Sequence, residues 1–96
     1  MMKQVYWQFL DEVEGAKEYV ECASKCKEKS REMSMMYIDM AKAEIDHAEK
    51  LLGAMKKIAA DERSEADDGK MNAPDILVDI MNGQLTKARA MLMAFE

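Results

Sequence analysis

Residues 37–59 read YIDMAKAEIDHAEKLLGAMKKIA, and their spacing decides the fold class. Tyr37 and Ile38 open a stripe that continues through Ala41, Ile45, Ala48, Leu52, Met55 and Ala59 at intervals of three and four, the signature of one apolar face on an α-helix. No alternation of period two competes with it. Within that helix the chain's single histidine, His47, stands three residues after Glu44.

Working outward, the preceding segment carries a matching face. Tyr6, Phe9, Val13, Ala16, Val20 and Ala23 share the same spacing and predict a first helix over about 3–28. KEKSRE, residues 27–32, breaks the pattern, with Ser30 placed to cap a second helix over about 32–61. The stretch RSEADDGKMNA, residues 63–73, is polar, holds a glycine and has no periodicity, so it reads as a loop. Pro74 suits the first turn of a third helix, where its missing N–H costs nothing. That helix is expected over about 74–95 with Ile76, Ile80, Leu85, Ala88, Leu92 and Phe95 on its apolar face, and with a kink or fraying at Asn82-Gly83.

The expected architecture is all-α: one domain over residues 1–96, a long antiparallel helical hairpin and a shorter third helix. A two-helix hairpin with a broad apolar face wants a further layer. A homodimer or higher homo-oligomer in which two hairpins form a four-helix bundle supplies one.

Composition narrows the function classes. The chain has 96 residues, is 49% hydrophobic and 34% charged, and carries a net charge of −5. It is too apolar for disorder, and its Lys and Arg are interleaved with acids, which argues against nucleic acid as a partner. No apolar window approaches a membrane span. The opening MMKQVYWQFL lacks the apolar run and cleavage site of a signal peptide. Cys22 and Cys26 lie four apart on one helix, a spacing poorly suited to a disulfide, so free thiols and a cytoplasmic setting are expected. They read as small buried residues rather than a redox pair. Among the 11 methionines, Met33, Met35, Met36 and Met40 cluster at the start of the second helix, where adaptable packing explains them better than a thioether copper site. With one histidine and no phosphate-binding loop, hydrolase and nucleotide chemistries have no residues to stand on.

One constellation remains. Glu44 and His47 project from neighbouring positions of one helix, and both can ligate a divalent iron, manganese or zinc ion. The first helix offers Glu12, at the interior edge beside Val13, with Tyr19 two turns on; Glu14, farther round, is the alternative first-helix ligand. Carboxylates facing one interior repel unless they share a proton or a cation. The bland readings stay beside this one: His47 as a rim histidine, Glu44 as an edge carboxylate paired to a lysine, Tyr19 as core.

The order of these residues, DEVEGAKEY (11–19) followed by YIDMAKAEIDHAEKLL (37–52), resembles one half of a ferritin-like or rubrerythrin-like di-iron bundle. The likeness is to encapsulated ferritins and to short ferritin-like proteins of phages and prophages. It implies Glu12, Glu44 and His47 as ligands from each chain, Glu44 bridging and Tyr19 hydrogen-bonding behind them. It implies Glu14 as an outer site through which metal arrives. The implied cofactor is a di-iron pair, with manganese as the alternative. The implied chemistry is of ferroxidase or peroxide type, with a non-catalytic helical structural or interaction protein as the other outcome. The chain departs from that pattern at Leu52, where some relatives place a second histidine, and at Asn82, Gly83 and Gln84 of the third helix.

Overall fold

The computed structural model describes residues 1–65 and 71–95. It contains three helices, α1 (Met2–Cys26), α2 (Arg31–Glu65) and α3 (Ala73–Phe95), and no strand among the described residues. The molecule is elongated, 57 × 20 × 14 Å, because α2 alone has 35 residues and so spans about 52 Å at 1.5 Å per residue. No described helix is long and apolar enough to cross a membrane.

The turn between α1 and α2 is tight and closed by backbone hydrogen bonds. Lys29 and Ser30 donate their N–H groups to the Cys26 carbonyl at 3.1 and 2.8 Å, satisfying a helix end that would otherwise leave acceptors bare. Ser30 then caps α2, its hydroxyl accepting from the Met33 N–H at 3.1 Å, as its position in KEKSRE foretold. Ser34, only 2% exposed, donates its hydroxyl across the hairpin to the Ala23 carbonyl at 2.9 Å.

Phe9, Val13 and Ala16 of α1 interlock with Ile45, Ala48, Leu52 and Met55 of α2 and with Met81, Leu85 and Ala88 of α3. Val20, Ala23, Ile38 and Ala41 continue the seam toward the turn. The alanines at these positions bring the helix axes close, which deepens the interlock of the larger side chains between them.

At its far end α2 outruns the sequence expectation, continuing through Glu65 rather than stopping near 61. Residues 63–65, read as loop, are its last turn, and residues 66–70 of that expected loop lie outside the described part of the chain. Arg63 there forms an ion pair with Asp75 in the first turn of α3. Asn72 caps α3, accepting from the Asp75 N–H at 2.8 Å while its own N–H reaches the Asp75 carboxylate at 3.3 Å. The Asn72 side-chain amide also donates to the Ala59 carbonyl of α2 at 3.1 Å. One residue therefore both starts α3 and ties it to its neighbour.

The apolar face expected for α3 is half right. Leu85 and Ala88 are buried, but Ile76 and Ile80 are 50% and 44% exposed, and Met81 and Pro74 are buried in their place. The reason is phase. The helix runs unbroken through Asn82-Gly83, so steps of three and four back from Ala88 and Leu85 land on Met81, Leu77 or Val78, and Pro74.

The four methionines at the start of α2 are exposed. Cys22 and Cys26 are free and half-buried.

Candidate metal centre

A second row of residues borders the core. Each member sits one position before a buried one. On α1 it comprises Glu12, Gly15, Tyr19 and Cys22, and on α2 Tyr37, Glu44 and Leu51, all half-buried. A one-residue offset is 100° of rotation, so this row forms a shoulder beside the seam. On the other side of α2, Glu49 and Arg63 hold ion pairs to Arg89 and Asp75 of α3. The shoulder thus lies on the flank of the hairpin that α3 leaves uncovered.

Midway along it, Glu12, Glu44 and His47 converge. Each offers a ligand atom, and those atoms all lie within 4.8 Å of one another. The His47 Nδ1 and Glu12 Oε2 are 3.3 Å apart. Glu12 is 27% exposed at its side chain and His47 54%, so the imidazole forms the solvent edge of the group. Gly15, one turn on from Glu12, sits directly beneath Glu44: a Cβ at this glycine would lie 3.2 Å from Glu44 Oε2.

The electrostatics are those of carboxylates too close to ionise independently. Glu44 is raised from an ordinary 4.5 to about 7. The largest cause is its hydrogen bond with Glu12, which needs a proton between the two carboxyl groups. Burial and repulsion by the Glu12 charge add to this, and His47 opposes it. Two carboxylates and an imidazole that crowd together and hold a proton near neutrality form a donor set suited to a divalent cation, which replaces that proton.

The residues named from sequence fall as follows. Glu12, Glu44 and His47 are brought together. Glu14 is not: its side chain is 66% exposed and pairs with Lys17 at 3.7 Å on the outer surface. Tyr19 is on the shoulder, two turns from Glu12, with its ring stacked on Tyr37 at 6.1 Å between centroids. Leu52 is buried in the core, packed within its apolar cluster. Gly15 went unnoticed in the sequence, although a glycine interior to a helix and in register with Glu12 is a visible signal.

The family comparison agrees with the geometry. The rubrerythrin family model matches residues 8–94, from just before Glu12 to the end of α3. No curated protein and no solved structure matches the chain. An all-helical fold, a carboxylate–histidine group across an antiparallel hairpin and a family match over nearly the whole length lead to one conclusion: this chain belongs to the rubrerythrin family, of the ferritin-like class.

Proposed function

We propose that this protein binds a di-metal centre, iron first and manganese second, shared between two protomers that each contribute Glu12, Glu44 and His47. The convergence of those three side chains carries the reading. A full carboxylate-bridged pair takes about four carboxylates and two histidines, twice what one chain supplies here. The uncovered shoulder, with its apolar members Tyr19, Tyr37 and Leu51, is the surface on which a second hairpin completes the bundle. This is the half-bundle arrangement of the encapsulated ferritins and the short phage-borne proteins that the sequence resembles.

Iron held there supplies one-electron chemistry toward dioxygen or peroxide. The chain's own part is to gather negative charge at one point, to give up the proton held between Glu12 and Glu44 when metal enters, and to orient Glu44 between the helices. Tyr19 closes the shoulder toward the hairpin turn, a position from which it supports the ligands from behind. The partners are then a second copy of the chain and a divalent cation, in a cytoplasmic setting.

A second reading is a non-catalytic helical oligomer on the same scaffold. It is favoured by α3, whose residues Asn82, Gly83 and Gln84 include no histidine and no carboxylate.

Anaerobic loading with Fe(II) followed by elemental analysis separates the two. About one iron per chain is expected in the wild type, and none in a Glu44→Ala/His47→Ala double variant, with oxygen consumption measured next. An iron-free wild type leaves the non-catalytic oligomer.

A further inference from the structure

Among the described glycines, Gly15 alone is crowded. A Cβ built on Gly53 or Gly83 meets nothing within 4 Å. At Gly15 the same atom comes 3.2 Å from Glu44 Oε2, 3.4 Å from its Cδ and 3.7 Å from its Cγ, so all three nearest atoms belong to one side chain. Glycine weakens a helix interior, and Gly15 sits near the middle of the 25-residue α1 with well-formed turns on either side. Nothing in the backbone requires it.

We propose that Gly15 is a positioning residue: by presenting bare backbone on α1 it lets the Glu44 carboxylate lie flat against that helix, within reach of Glu12 and His47. The proposal rests on the metal reading above. A methyl group at position 15 stands inside ordinary van der Waals range of Glu44, and the carboxylate must retreat from α1 by a few tenths of an ångström. It is the free end of a flexible side chain, so it can do so without disturbing the helix. The retreat carries it away from Glu12, on the same helix, and metal–ligand distances tolerate only about 0.2 Å. The helix gains and the site loses.

Co(II) serves as the probe, because its visible absorption reports ligand geometry and its titration gives an affinity. Gly15→Ala is compared with wild type and with Gly53→Ala, which makes the same helix-favouring change in open space. The expected result is Co(II) affinity at least about tenfold weaker in Gly15→Ala, the scale on which outer supporting residues act, with an altered spectrum and a metal-free melting temperature that does not fall. Gly53→Ala binds as wild type does. In a Glu44→Asp background, where the carboxylate is already drawn back by one methylene, Gly15→Ala costs less than in the wild type.

Affinity and spectrum within twofold of wild type overturn the role of Gly15 and leave the metal centre standing. Lost affinity accompanied by lost helical circular dichroism in the metal-free variant overturns it as well, since the methyl then disturbs the helix pair. A wild type that binds no Co(II) removes the metal reading and this proposal together.

Discussion

Glu12 and His47 stand 35 positions apart in the chain and 3.3 Å apart in space, one from each arm of the hairpin. The contact is half in water, His47 being 54% exposed, and exposed pairs of this kind contribute about 0–1 kcal/mol to folding. His47→Ala therefore shifts metal-free stability by less than about 1 kcal/mol in a urea melt, while iron uptake under anaerobic loading collapses. A large loss of stability would make His47 a structural residue instead.

Glu44 gives the metal-free protein an unusual pH dependence. Its folded value of about 7 lies above the ordinary 4.5, so between these limits the folded chain binds a proton that the unfolded chain has released. Stability is then greatest at the acid end and falls as pH rises through about 7. Water screens this partly open site, so the change is on the order of 1 kcal/mol. Denaturant melts at pH 5.5 and pH 8 should show the difference in wild type and lose it in Glu44→Gln, with the variant the more stable of the two at pH 8.

Metal affinity runs the other way. Ligation displaces the proton between Glu12 and Glu44, so Co(II) or Fe(II) binding tightens from pH 6 to pH 8. Saturating metal at about 100 times its dissociation constant adds about 2.7 kcal/mol of stability. A chelator removes the gain, and differential calorimetry at the two pH values reads it.

The phase of α3 is tested by two neighbouring residues. Met81 is fully buried and Ile80 is 44% exposed. Met81→Ala should cost about 2–5 kcal/mol through the cavity it opens, whereas Ile80→Ala should stay within about 0.5 kcal/mol. Equal costs would mean that α3 is rotated from the phase described.

Ser34→Ala removes a buried hydroxyl that donates to the Ala23 carbonyl at 2.9 Å. It should cost about 1–3 kcal/mol, seen as a lower urea midpoint at unchanged slope.

The two long helices were legible because their faces keep an uninterrupted three-four spacing over six and seven residues. In α3 the Asn82-Gly83 pair suggested a kink or fraying, but the helix runs unbroken through it. Ile76 and Ile80 were placed inward with Leu85 although the step from Ile80 to Leu85 is five, neither three nor four, and Met81 was passed over. The site was legible as far as one helix at a time allows. Glu44 with His47 follows from their separation along α2, and Glu12 over Glu14 from the side of α1 that carries Val13. Contacts between helices were not legible. The stack of Tyr19 on Tyr37 and the approach of Glu44 to Gly15 depend on how closely the axes come.

Ser34 and Glu44 stand ten positions apart on unbroken helix, about 15 Å of rigid rod. The serine is pinned to α1 at Ala23, and the glutamate meets α1 at Gly15. The segment between them works as a ruler, setting how far from the hairpin turn, and at what angle, the carboxylate arrives. Inserting or deleting a single residue there would swing Glu44 by about 100° and carry it off the glycine. The exposed side chains of Met35, Met36 and Met40 are thus open to change in kind, while the number of residues in that stretch is not.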